Sequence, residues 1–233
     1  HFETTLPDGD NPMEFTGAAE GFTVDLSLTR GSDQHAIIQA LGYEKLNGYF
    51  EVAGSWQPTD GRLTMSQYDI TVVDAGTLGV ALDLDGYTPD FIKGLRELQQ
   101  QMAANPDGDS TAQGFAMLGL MQQLSFHGAE IAFSDDSLTG KVLEFVAQSQ
   151  GTNAAAIASQ AKAILPFVLA QLNNPDLTAS ATAAVSQFLD DPKVLRITAG
   201  PAEPVPFALI MANAMSTPQE LTKTLGVRVT AND

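Results

Sequence analysis

Four aspartates fall within the stretch "DAGTLGVALDLDGYTPDF", residues 74 to 91: Asp74, Asp83, Asp85 and Asp90. Carboxylates at that density can hold a divalent cation, or act as acid and base when burial or a neighbour separates their pKa values. Their spacing gives each a plainer task. Leu78, Val80, Leu82 and Leu84 alternate with Thr77, Gly79, Ala81, Asp83 and Asp85, so Asp83 and Asp85 take the solvent-side parity of a strand. Asp74-Ala75-Gly76 reads as the turn before that strand. Thr88-Pro89-Asp90 reads as a helix start, with Thr88 as N-cap, Pro89 at the first helical position and Asp90 complementing the dipole.

Other chemistry-bearing residues meet similar objections. Asn105, Asp107 and Asp109 mimic the opening of a calcium loop, but Ser110 stands where glycine is required and Ala116 where the closing glutamate belongs. His127 precedes Glu130 in "FHGAE"; on a strand that offset points the two side chains to opposite faces, and Gly128 suggests a bulge. His1 and His35 show no neighbouring partners. No G-x-S-x-G elbow, P-loop, G-x-G-x-x-G or H-E-x-x-H occurs in the chain. The expectation is a non-enzyme with no catalytic residue, metal or cofactor.

Composition narrows the partners. Eleven basic against 28 acidic residues leave a formal net charge of −17, which repels phosphate backbones, so no nucleic-acid partner is expected. With no cysteine, disulfides and thiolate chemistry are excluded. No window in the sequence reads as approaching the ~20 apolar residues needed to span a bilayer. The chain begins at His1, as a processed mature chain or an excised fragment would, with any signal or anchor outside it.

These residues must be positioned by strands and helices. Alternation marks a strand at Phe22, Val24, Leu26 and Leu28. It marks a three-stranded antiparallel meander over 46 to 85, with Trp56, Ile70, Val80 and Leu82 on the buried parity. Asp60-Gly61 makes its first turn, and the parity slip between Met65 and Tyr68 predicts a β-bulge. Helical spacing follows at 91 to 102 and at 112 to 122, and a strand at Leu124 to Phe133. Residues 138 to 190 read as a helical part inserted before two closing strands, Val194 to Ala199 and Leu225 to Thr230. Within it Ile164, Leu165, Val168, Leu169 and Leu172 are expected to face Val185, Phe188 and Leu189, with a kink at Pro166. Thr217-Pro218-Gln219-Glu220 reads as a capping box. The whole, residues 1 to 233, is expected as a single α+β domain: a long, mostly antiparallel curved sheet with helices packed on one face.

Two Met- and Phe-rich runs, "GFAMLGLMQQLSF" at 114 to 126 and "PFALIMANAM" at 206 to 215, are core material or the lining of a cleft between helices and sheet. Phe115, Met117, Met121, Phe207, Met211 and Met215 are the candidate ligand-binding residues. The segments "ALGYEKLNGYFEVAGSWQPTDGRLTMSQYDITVVDAGTLGVALDLDGY" and "DDPKVLRITAGPAEPVPFALIMANAMSTPQELTKTLGVRVTAN" resemble uncharacterised exported proteins of alphaproteobacteria. The sheet-with-helix layout is similar, more loosely, to AsmA-like envelope proteins. The resemblance implies a periplasmic or envelope location. The expected function is to hold a lipid or other apolar ligand, with an envelope scaffold that binds a protein partner as the alternative.

Overall fold

Alternating apolar and polar residues build one long sheet. In the computed structural model, which describes residues 1–8, 11–29, 33–105 and 110–233, nine strands are present among the described residues. They are β1 (Phe2–Thr4), β2 (Met13–Asp25), β3 (Lys45–Gln57), β4 (Arg62–Val72), β5 (Gly76–Asp85), β6 (Ser125–Asp135), β7 (Val194–Ala199), β8 (Val205–Pro206) and β9 (Val227–Ala231). The order is β1-β2-β3-β4-β5-β6-β7-β9, with β8 also paired to β6, and every pairing is antiparallel. The chain is α+β, 45% helical and 35% strand, with an open antiparallel sheet.

The meander over 46 to 85 is present as β3, β4 and β5. Gly61 closes its first turn at φ +73, and a Cβ there would lie 2.3 Å from Tyr87 N, so only glycine fits. The bulge between Met65 and Tyr68 is present as well: Ala53 pairs with Gln67 and Gly54 with Met65, leaving Ser66 unpaired. The strand expected at Phe22 to Leu28 is β2, which begins earlier, at Met13, and stops at Asp25; Leu26–Thr29 is a 3-10 turn, and β1, ahead of β2, was not expected.

The helices are α1 (Asp33–Ala40), α2 (Pro89–Ala104), α3 (Ser110–Met121), α4 (Leu138–Gln150), α5 (Ala154–Leu169, continued by a 3-10 turn Ala170–Leu172), α6 (Pro175–Asp190), α7 (Phe207–Ser216) and α8 (Pro218–Thr224). Thr88 caps α2 by accepting from Phe91 N at 3.2 Å. The expected capping box does not close: Thr217 makes no side-chain cap bond, and Glu220 pairs instead with Lys223 at 3.3 Å. Phe188 of α6 meets Phe133 of the sheet, ring centroids 6.3 Å apart, rather than α5, while Ile164 and Val168 of α5 are exposed. Residues 154–172 form one helical run of mean hydropathy 1.4, long and apolar enough by length and composition to cross a membrane. That corrects the sequence reading, in which no window approached the length needed to span a bilayer; Pro166 lies inside the helix.

Register aligns the apolar residues into rows across the strands. One row runs Ala19, Phe50, Ile70, Leu78, Phe133, Leu195, Ala231. Another runs Phe15, Gly54, Met65, Leu82, Ala129, Ala199, Val227. Met13, Trp56, Leu63, Leu84, Phe126 and Val205 form a third. Helices cover two parts of this face. Phe91 of α2, 1% exposed, packs with Leu84 and Leu124, joined by Leu120 and Met121 of α3 and Phe207 of α7. Ala184 and Phe188 of α6 pack on Ala231, Phe133, Leu195 and Val229.

Candidate functional site

Coverage of the apolar face is incomplete. Between the two helix-covered parts lies the row Val80, Ile131, Ile197, which runs under α6 at its end, Val229. Within this gap Ile131 is 50% exposed, Leu78 45% and Ile197 44%. These are β-branched or branched aliphatic side chains in register, carrying no polar group. Toward β1 the same floor continues through Tyr68, Val52 and Gly17, with Phe50 and Tyr68 edge to face at 5.1 Å.

Glycines shape that end of the floor. A Cβ on Gly17 would lie 2.9 Å from Phe2 Cδ2, one on Gly48 2.5 Å from Phe22 Cζ, and one on Gly54 2.6 Å from Phe15 Cζ. Each phenyl ring therefore takes the space above the glycine paired with it across the strands. The consequence is an apolar surface built low, from rings, where no helix supplies a second layer among the described residues. Seven strand spacings give the sheet a width of about 34 Å from β1 to β9.

The total exposed area fits an uncovered face. The chain presents 13876 Å², against roughly 10,000 Å² for a compact folded monomer of its mass.

The six candidate residues divide. Met121 and Phe207 are brought together in the cluster around Leu84 and Phe91, where Phe207 meets Phe126 edge to face at 6.2 Å. Met117 is half-buried on α3. Phe115, Met211 and Met215 are exposed, Met215 at 88%. Helix spacing marked all six as one apolar class; it carried no information on which face the sheet would take.

On the opposite face the polar residues form their own contacts. Arg62 donates to Asp83 Oδ2 at 2.6 Å and lies 2.8 Å from His127 Nδ1, while His127 Nε2 lies 2.6 Å from Asp85 Oδ2. Arg62 Nη1 also lies 2.7 Å from His127 Nε2, so the guanidinium faces both ring nitrogens. The group joins β4, β5 and β6, and it consists of Asp83 and Asp85 of the opening motif paired with a cation and an imidazole. Asp74 sits in a turn at φ 62, and its carbonyl accepts from Tyr43 Oη, Ser137 Oγ and Lys141 Nζ.

Two expectations are overturned here. His127 and Glu130 share the polar face, because Phe126 pairs with Leu84 and Gly128 with Asp83, leaving His127 as the extra residue of a bulge. The parity reversal separates them no further, yet they do not meet: Glu130 pairs with Arg196 at 2.9 Å. His1, expected without a partner, lies 2.8 Å from Glu3 Oε1. Asp107, Asp109 and the side chain of His35 lie outside the described residues. Among the described residues no three His, Asp or Glu side chains converge as a metal site. Gly128 was the signal in the sequence for the His127 bulge; nothing in the sequence pointed to Arg62.

A separate groove of about 630 Å³ lies between the end of α5 and the start of α6, lined among others by Pro166, Ala170, Asn173, Thr178, Ala179 and Thr182. None of the six candidate residues lines it.

No curated protein matches the chain. The model of a family described as "Uncharacterized protein" matches residues 69–232, from within β4 through β9, the part of the sheet that carries α2 to α8. Since that match spans more than two thirds of the chain, the protein belongs to this family of uncharacterized proteins.

Proposed function

We propose that this is a non-enzymatic protein of the bacterial envelope, periplasmic in location, that holds a lipid or other apolar ligand against the open face of its sheet. The observation that carries the reading is the gap between the two helix groups, where Leu78, Ile131 and Ile197 are each close to half exposed in continuous cross-strand rows. Extended exposed apolar patches accompany ligand or partner sites, which supports the reading. The proposal moves the site from the candidate helix residues toward the floor of the sheet, with Phe115, Met117, Met211 and Met215 at its helical margin. An envelope location rests on the resemblance to exported alphaproteobacterial proteins. The likeness to AsmA-like proteins is one of layout, a long open antiparallel sheet beside helices, and adds support for location more than for chemistry.

Native mass spectrometry of the freshly purified protein, with organic extraction and lipid analysis of the same sample, tests it. Co-purified lipid, or thermal stabilisation by added fatty acid or phospholipid, is expected. Ligand-free protein throughout, unmoved by either addition, overturns the reading. One observation favours the alternative, an envelope scaffold: among the described residues β1 pairs with β2 from Phe15 to Gly17, so the outer edge of β2 over Ala19 to Val24 offers backbone groups to an added strand.

A further inference from the structure

We propose that the exposed side of α5 docks on the surface of an electrically neutral phospholipid bilayer. This goes beyond the ligand reading and does not depend on it. The run 154–172 has a mean hydropathy of 1.4 and only 11% of it is buried, so the core of the protein does not account for its composition. Its inner side holds Ile157 and Ala158, both buried, and then Leu165 and Leu169, half-buried, while Ile164, Phe167 and Val168 on the other side are exposed, Phe167 at 78%. Those three stand at i, i+3 and i+4 and share one side of the helix.

Charge selects the partner. Within the run Lys162 is the single charged residue, and it is half-buried and paired with Asp190 of α6. The exposed positions are Ala, Ile, Phe and Val with Ser159, Gln160 and Gln171. The groove beside Phe167 continues the pattern, since none of its lining residues is charged. A surface without charge, on a chain of net charge −17, gains nothing from anionic head groups and is repelled by them at long range, whereas a zwitterionic surface exacts neither penalty. The helix is held by α4 and α6, so it lies on the bilayer with its exposed side in the interface rather than crossing it.

Flotation of the intact chain with phosphatidylcholine vesicles tests the assignment, beside a variant carrying Phe167→Glu and Val168→Glu. Both side chains project outward, so the variant keeps its melting temperature and circular dichroism. The wild type is expected to float, and the variant to partition about tenfold more weakly or worse. Three results overturn the proposal: a wild type that stays unbound, a variant that floats equally well, or binding confined to vesicles containing anionic lipid. A vesicle-free dimer that the same variant dissolves also overturns it, by assigning the surface to a second copy of the chain. Lipid extracted from wild type and variant before vesicles are added reads the sheet-face ligand separately.

Discussion

Replacing Phe91 and Ile131 in turn by alanine compares the covered and uncovered parts of one apolar face. Phe91 is 1% exposed and packed on Leu84 and Leu124; its loss is expected to cost about 3–5 kcal/mol, the usual range for a large aromatic in a core. Ile131 is 50% exposed. Its alanine variant removes the equivalent of about three methylenes at ~0.8 kcal/mol each when fully buried, so about 1 kcal/mol at half burial. For a chain of this length that is a fall in Tm of about 2–4 °C, against about 6–20 °C for Phe91→Ala. Urea unfolding followed by the fluorescence of Trp56, the single tryptophan, measures both on lipid-stripped protein. Repeating it with ligand bound is expected to raise the cost of Ile131→Ala toward the full-burial value while leaving that of Phe91→Ala unchanged. If Ile131→Ala already costs as much as Phe91→Ala in stripped protein, the face is covered by protein in solution and the ligand reading fails.

The glycine-under-ring arrangement predicts a contrast between two alanine variants. Gly54→Ala places its Cβ 2.5 Å from Thr64 O, a backbone atom, and is expected to cost about 1–3 kcal/mol in urea unfolding, whereas Gly17→Ala meets chiefly the exposed ring of Phe2, which can swing aside at a cost of about 0.5 kcal/mol. For the polar group, Asp85→Asn and His127→Ala are each expected to cost about 1 kcal/mol and to be non-additive when combined, since they remove one shared bond. Millimolar calcium is expected to leave the wild-type Tm unchanged beyond ionic screening; a shift of many degrees at micromolar calcium, lost in Asp83→Asn, would contradict the pairing of Asp83 with Arg62.

Alternation was the most legible signal, because a strand's period of two is enforced by geometry alone. It located β3, β4 and β5 and the inward parity of Trp56, Ile70, Val80 and Leu82, and its one slip located the bulge at Ser66. The same rule failed at His127, where a bulge reversed the parity and moved a histidine beside Asp85 and Arg62. Those partners lie 42 and 65 positions away, on strands whose register depends on the bulge itself. Caps with a side-chain acceptor and a following proline, as at Thr88, were readable. Thr217 was not, since its residue types fit a capping box but the helix before it ends on the same residue and holds it in another conformation. The facing of α5 failed for a different reason. An alanine-rich helix offers little contrast between its sides, and the sheet, not α5, claims Phe188.

That competition explains the site as well. A layered α+β fold ordinarily buries the apolar face of its sheet under helices, and here the rows extend farther than the helices reach. Phe91 and Phe188 each anchor one group, and the rows between and beyond them keep their aliphatic and aromatic side chains without a second protein layer. Toward β1 the chain replaces that layer with rings over glycines, which shields backbone without raising the floor. A sheet meant only for solvent would carry polar residues on those parities, as the opposite face does with Thr71 and Thr77 in contact at 2.8 Å and Glu130 paired to Arg196. The retention of apolar residues on one face, beside ion pairs such as Arg62–Asp83 and Arg196–Glu130 on the other, supports the proposal that the open face holds something that excludes water. On the proposed reading, Leu78, Ile131 and Ile197 form the floor, with Phe115, Met117, Met211 and Met215 at its helical margin.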